Sequence, residues 1–132
     1  MREEMKTTLG EVLRSFRELR DAPLDDATLT EWISELDAMA LDEVVSVGSD
    51  VSLKRYDSVG DRDTELSIPF PDTFVYFCYL SMRCDLVCGD YSRYNLSAQA
   101  FESAWRSFAD RYQRTHSPKR AAFRAGGALE RY

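Results

Sequence analysis

The fold is decided by residues 72–112, which read DTFVYFCYLSMRCDLVCGDYSRYNLSAQAFESAWRSFADRY. A helix is predicted from about Asp72 to Cys88. Its first half, residues 74–80, is apolar on nearly every side, which predicts burial on several faces, either centrally in the fold or against another subunit. Gly89 predicts the end of that helix, because glycine readily adopts the left-handed backbone that closes helices. From Tyr94 onward, apolar residues recur at alternating spacings of four and three, which predicts a second helix with one continuous packing seam, ending near Thr115.

The connection between these two helices is short, so we expect them to pack as an antiparallel hairpin. The predicted core of the pair consists of aromatic residues from both helices. These are Phe74, Phe77, Tyr94, Phe101, Trp105, Phe108 and Tyr112. The apolar surface of such a pair exceeds what one small domain covers, which favours contact with other subunits.

Two more helices are predicted before this pair. Thr8 and Glu11 form a capping-box pattern, and the apolar residues that follow share one helical face. That face carries Leu9, Val12, Leu13, Phe16 and Leu19, and Pro23 ends the helix. The next helix begins near Asp25 or Asp26, whose carboxylates suit a helix N-terminus, and it ends before Gly48. Its apolar stripe includes Trp32, Ile33 and Leu36, while Glu31 and Glu35 are expected to face solvent.

The middle segment, residues 49–71, alternates only partly between apolar and polar residues. It predicts either two short strands around a turn at residues 58–61 or a long loop. The predicted fold class is therefore mainly α, a small bundle of about four helices with a short β-hairpin or long loop between helices two and three. Residues 1–116 are expected to form a single domain, and residues 117–132 a basic C-terminal tail that is mobile on its own.

Charge is distributed unevenly along the 132 residues, whose formal net charge is −6. Residues 1–50 carry 13 acidic and 5 basic side chains, whereas residues 91–132 carry 8 basic and 3 acidic ones. The acidic balance disfavours tight binding to nucleic acid, while the opposed ends favour protein–protein complementarity. The predicted partner interface lies in the basic stretch and consists of Arg111, Arg114, His116, Lys119, Arg120, Phe123, Arg124 and Tyr132. Contact with an acidic protein surface and contact with phosphates both remain open for it.

No constellation of residues points to catalysis or to a cofactor. His116 is the single histidine and is best explained as a group that stabilises a helix C-terminus. Cys84 and Cys88 are four residues apart, which is at most half of a zinc site, and an odd number of cysteines suits a reducing compartment. The acids Asp57, Asp61, Asp63 and Glu65 could attract Ca²⁺, but their spacing does not match a calcium-binding loop, and a solvated turn is favoured. The absence of a signal peptide and of a long apolar run predicts folding in a cytoplasm, without a membrane.

Several segments, in their order along the chain, resemble the small head-to-tail connector (adaptor) proteins of tailed bacteriophages. The residues that carry the resemblance are Trp32-Ile33-Ser34-Glu35-Leu36-Asp37, Ile68-Pro69-Phe70-Pro71, Tyr76, Leu80, Asp85, Gly89-Asp90-Tyr91-Ser92-Arg93-Tyr94-Asn95 and Tyr112-Gln113-Arg114-Thr115-His116. The likeness covers about residues 26–120, and it rests on the order of the segments because no single motif is diagnostic.

The resemblance implies a structural virion protein located in the neck and assembled in the cytoplasm of the bacterial host. Such proteins form a ring of about twelve copies beneath the portal protein. The ring extends the channel through which the genome passes without sequence-specific binding, and it presents a surface to a stopper or another tail-side neck protein. The tail is then expected to fold onto the portal or a neighbouring subunit. The alternative function is a small helical regulatory module that contacts DNA or protein through its basic C-terminal tail.

Overall fold

The computed structural model describes residues 7–45 and 53–115, which contain four α-helices: α1 (Leu9–Leu19), α2 (Asp26–Ala40), α3 (Phe74–Val87) and α4 (Tyr91–Thr115). A π-helical turn, Leu41–Val45, continues α2. α3 is the central element, since it packs against α1, α2 and α4. The prediction of a mainly α bundle of about four helices is therefore confirmed.

The first two helices begin where the sequence predicts. The Glu11 amide donates to Thr8 Oγ1 at 3.3 Å, and the Thr8 amide donates to Glu11 Oε1 at 3.5 Å, which completes the capping box. The Thr28 amide donates to Asp25 Oδ1 at 2.9 Å and caps α2. α1 ends at Leu19, four residues before Pro23, and the Leu19 side chain is exposed although its spacing placed it on the apolar face.

The last two helices form the predicted antiparallel hairpin. Gly89 has a φ of 76°, and the Asp90 amide donates to the Asp85 carbonyl at 2.9 Å, so the chain reverses directly after α3. α4 has 25 residues against 14 in α3. Its second half therefore continues past the start of α3 and packs against the π-helical turn that follows α2.

The predicted aromatic core of the helix pair forms only in part. Phe108 is fully buried, while Phe77, Phe101, Trp105 and Tyr112 are half-buried and pack against the core, and Tyr94 is half-buried near the start of α4. Phe74 is 59% exposed, so its assignment to the core is wrong. In the first turn of α3, its ring stacks on Phe77 at 5.5 Å between ring centroids, and Phe77 in turn contacts Phe16 of α1 at 5.7 Å. These two α3 aromatics therefore contribute to the α1 side of the helix.

The segment between α2 and α3 is a long loop in its described part, residues 53–73, and the alternative of a β-hairpin is not formed there. One isolated bridge pairs Thr8 with Glu65. The Leu9 amide donates to the Thr64 carbonyl at 3.0 Å and the Gly10 amide to the Arg62 carbonyl at 2.9 Å. The loop carbonyls thus satisfy amides in the first turn of α1, which have no partner within their own helix, instead of pairing with a second strand.

Candidate partner-binding groove

An open groove of about 520 Å³ lies between α1 and the start of α3. Its apolar lining includes Phe16, Leu19, Phe70, Pro71, Phe74 and Phe77. Leu19, Phe70 and Phe74 are each more than half exposed. Three large apolar side chains that share one concave surface are typical of an interaction site rather than of ordinary solvent-facing surface. We call this surface the α1–α3 groove.

One end of the groove is formed by the turn that leads into α3. The Phe70-Pro71 peptide bond is cis, and the Asp72 amide donates to the Pro69 carbonyl at 2.9 Å. The Asp72 carboxylate also forms an ion pair with Arg111 of α4, with Nε and Oδ2 separated by 3.1 Å. The turn is consequently held by both its own backbone and α4, which places Phe70 beside Phe74.

A smaller hollow of about 250 Å³ shares Leu19, Phe74 and Phe77 with the groove and extends it toward α4. Here Arg20 forms an ion pair and hydrogen bond with the buried Asp85 carboxylate, which also accepts a hydrogen bond from Ser97 Oγ. Burial by itself raises the pKa of Asp85, but the hydrogen bonds from Arg20 and Ser97 outweigh it, so the pKa lies below its ordinary value. The wall at this end of the groove is therefore formed by an ion pair, in which the charges of Arg20 and Asp85 neutralise each other.

Because the pKa of Asp85 is lowered in the folded state, the free energy of unfolding depends on pH in the acidic range. A carboxyl group whose pKa is lower in the folded state stabilises the fold above its unfolded pKa, ordinarily 3.8, and this contribution is lost as pH falls through the folded pKa. We expect the free energy of unfolding to decrease as pH falls below about 4, and to decrease less steeply in Asp85→Asn. Urea unfolding at a series of pH values measures both slopes, and equal slopes would contradict the assignment to Asp85.

A second exposed apolar surface lies at the opposite end of α3. Leu86, Val87, Tyr91 and Leu96 surround the α3–α4 turn and are 45–69% exposed. We call these four residues the hairpin tip. The 14 residues of α3 span about 20 Å, so the tip and the Phe70 end of the groove are well separated.

The predicted basic interface lies mostly outside the described residues. His116, Lys119, Arg120, Phe123, Arg124 and Tyr132 belong to residues 116–132, which follow directly on α4. Of the two described members, Arg111 pairs with Asp72, and Arg114 is exposed in the last turn of α4. The structure therefore places the start of this basic stretch near the Phe70 end of the groove.

A buried hydrogen-bond network surrounds Asp37 and was not predicted from the sequence. Its carboxylate accepts from the hydroxyls of Tyr56 and Tyr76 and from the Ser67 amide, at 3.0 Å to the nearer oxygen. Burial, together with the nearby charge and hydrogen bond of Asp37, raises the pKa of Tyr76 well above its ordinary value. The helical spacing of Asp37 is the sequence feature that indicates its burial. Asp37 follows Ile33 by four residues, which places it on the apolar face of α2.

A second polar cluster joins α2 to α3. Arg83 donates to the Glu35 carboxylate and lies over the Trp32 ring, with its guanidinium carbon 4.9 Å from the ring centroid. The Tyr79 hydroxyl donates to Glu35 Oε1 at 3.2 Å. Glu35 was expected to face solvent only, and the structure instead gives it a partner on α3. Together with the Asp37 network, this cluster makes the contact between α2 and α3 directional.

The acidic middle segment is organised as a capped turn. Asp57 Oδ2 accepts from the amides of Val59 and Gly60 at 3.2 and 2.6 Å, and Asp61 Oδ2 accepts from the Asp57 amide at 2.8 Å.

Cys78 and Cys84 are buried thiols, and Cys88 is exposed. Within residues 7–45 and 53–115, no group of three or more His, Cys, Asp or Glu side chains is arranged to hold a metal ion.

Comparisons of the chain with protein-family models, with curated proteins and with solved structures find no match. Among the helices of the described residues, none combines the length and the apolar character needed to cross a bilayer.

Proposed function

We propose that this chain is a head-to-tail connector of a tailed bacteriophage. In this function it forms a ring below the portal, lengthens the genome channel and joins the capsid to the tail through a stopper or similar neck protein. The observation that carries the proposal is the presence of two separate exposed apolar surfaces, the α1–α3 groove and the hairpin tip, on one small bundle. The function is positional and makes or breaks no covalent bond.

Two different surfaces are what a ring requires. A two-fold dimer uses the same patch on both subunits, whereas a ring is built from heterologous contacts between two distinct patches. The groove is concave, whereas the hairpin tip is the exposed end of the α3–α4 pair, and the length of α3, about 20 Å, separates the tip from the Phe70 end of the groove. Each subunit therefore has an apolar surface available for each of two neighbours.

The charge distribution supports the same arrangement. Residues 7–45 carry ten acidic and three basic side chains, whereas α4 carries four basic and two acidic ones. Subunits that place α4 beside the α1–α2 side of a neighbour bring opposite charges together and fix their mutual orientation. The acidic balance of the chain also suits a channel for DNA, because a strongly cationic lining would hold the phosphates.

The alternative, a regulatory module that contacts DNA through its basic C-terminal tail, is supported by Arg114. This side chain is exposed in the last turn of α4, and the basic residues 116–132 follow it directly in the sequence. Such a module would retard DNA in a gel-shift assay at low salt, and its affinity for DNA would fall steeply as the salt concentration increases. The assembly experiment below includes this outcome.

We expect Leu96→Glu to weaken assembly of the ring at least about tenfold, because it places a charge in a surface that a neighbour covers. Native mass spectrometry and negative-stain microscopy of the chain, alone and with phage portal protein, measure ring formation. Val59→Glu is the matched control, since Val59 is 81% exposed in the loop and belongs to neither apolar surface. Failure of the unaltered chain to form a ring with the portal, or a dimer that shifts DNA, would contradict the connector function.

A further inference from the structure

We propose that residues 116–132 occupy the α1–α3 groove of their own chain, with Phe123 as the apolar anchor. This inference does not depend on the connector function, because it concerns the free chain before any assembly. It assigns an occupant to an apolar concavity of about 520 Å³.

The path of the chain brings the tail to the groove. α4 ends at Thr115, about one helical turn after Arg111. Arg111 is paired with Asp72, whose neighbours Pro71 and Thr73 line the groove. The chain therefore leaves α4 beside the Phe70 end of the groove. The residues from 115 to 123 span up to about 25 Å when extended, which is ample to place Phe123 among the groove aromatics.

The chemistry of the segment matches the groove. Residues 121–123 are Ala-Ala-Phe, and basic residues flank them at Lys119, Arg120 and Arg124. The groove offers exposed Leu19, Phe70 and Phe74 side chains as an apolar floor. The α1 rim of the groove carries one acidic and one basic side chain, Glu11 and Arg14, and Arg14 lies 4.0 Å from Glu18 in an exposed ion pair. An aromatic anchor therefore meets an aromatic floor, which favours docking by apolar burial.

Connection within one chain favours the chain's own tail over the tail of a second copy. A short flexible linker gives the attached segment an effective concentration of about a millimolar at its site. That value exceeds the concentration of other copies in a micromolar solution. Docking in the same chain would also cover the three exposed apolar side chains of the groove until another surface displaces the tail.

The test is a paramagnetic-relaxation measurement on the full chain. Cys88→Ser removes the exposed thiol, Ala122→Cys carries a nitroxide label next to Phe123, and Cys78 and Cys84 are buried. We expect the amide resonances of Ser15, Leu19 and Phe74 to lose most of their intensity. The amides around Val87, at the opposite end of α3 from Phe74 and about 20 Å along it, should lose much less, and reduction of the nitroxide should restore the groove signals.

Three variants and one mixed sample make the result decisive. Phe123→Ala in the labelled chain should restore the groove signals, whereas Val59→Ser, which alters an exposed apolar residue that belongs to neither apolar surface, should leave them broadened. Leu19→Ser tests the groove side at a residue that is 67% exposed, so its folding cost should be small. It too should restore the signals.

The mixed sample combines isotope-labelled chain without nitroxide and nitroxide-labelled chain without isotope. Broadening of the groove signals in that sample can come only from the tail of another chain, so it would assign the groove to a second copy and overturn the proposal. In the sample where every chain carries the nitroxide, equal amide intensities at the groove and at the hairpin tip would overturn the proposal as well. Ring formation with the portal is measured separately, so either proposal can fail without the other.

Discussion

Replacement of Phe108 by alanine is expected to lower the free energy of unfolding by about 3–5 kcal/mol. Phe108 is the one residue of α4 that is fully buried, and its ring contacts Trp105 and Tyr112 edge-on, at 5.6 and 6.1 Å between centroids. Its removal leaves a cavity at the point where the second half of α4 packs against the rest of the bundle. Urea denaturation followed by circular dichroism measures the loss.

Trp105→Ala is the informative comparison for Phe108→Ala. The larger Trp105 side chain is only half-buried and contacts Phe101 and Phe108, so its truncation should cost less than that of Phe108. Glu102→Ala, at an exposed position on the same helix, should change the free energy of unfolding by no more than about 0.5 kcal/mol. A larger loss for Trp105 than for Phe108 would contradict the packing described for α4.

The second large effect is expected from Asp37→Ala, with a loss of about 3–5 kcal/mol in the free energy of unfolding. The substitution removes the acceptor of the Tyr56 and Tyr76 hydroxyls and of the Ser67 amide. The Tyr76 hydroxyl is buried, and within residues 7–45 and 53–115 its acceptor is Asp37. Tyr56 and Ser67 are closer to solvent and recover part of the loss by hydration. Thermal and urea unfolding measure the effect.

Two variants separate the network from its parts. Tyr76→Phe removes one hydroxyl and leaves Asp37 with two donors, so its cost should be smaller, about 1–3 kcal/mol. Glu31→Ala removes a carboxylate from the same helix, and its ion pair with Arg55 is exposed, so it should cost less than about 1 kcal/mol. An Asp37→Ala loss no larger than that of Glu31→Ala would show that the buried network adds nothing to stability.

The local sequence determined most of the secondary structure. Thr8 with Glu11 and Asp25 set the starts of α1 and α2, and Gly89 set the reversal between α3 and α4. These signals act over three or four residues, because a cap depends on one side chain and the free amides of one turn. The apolar character of residues 74–80 predicted a helix buried on several sides, either within the fold or against another subunit, and α3 packs against α1, α2 and α4. The connector function rests on a resemblance and stays a prediction.

Only the tertiary structure decided where individual side chains on those helices point. Phe74 and Leu19 have the composition and spacing of core residues, yet both are exposed, because the turn at residues 69–73 and the early end of α1 leave an open groove between them. Asp37 lies on an apolar face and is buried because Tyr56, Ser67 and Tyr76, distant in sequence, supply its donors. Helical periodicity reports which residues share a face, but burial depends on what packs against that face, and the partners come from other parts of the chain.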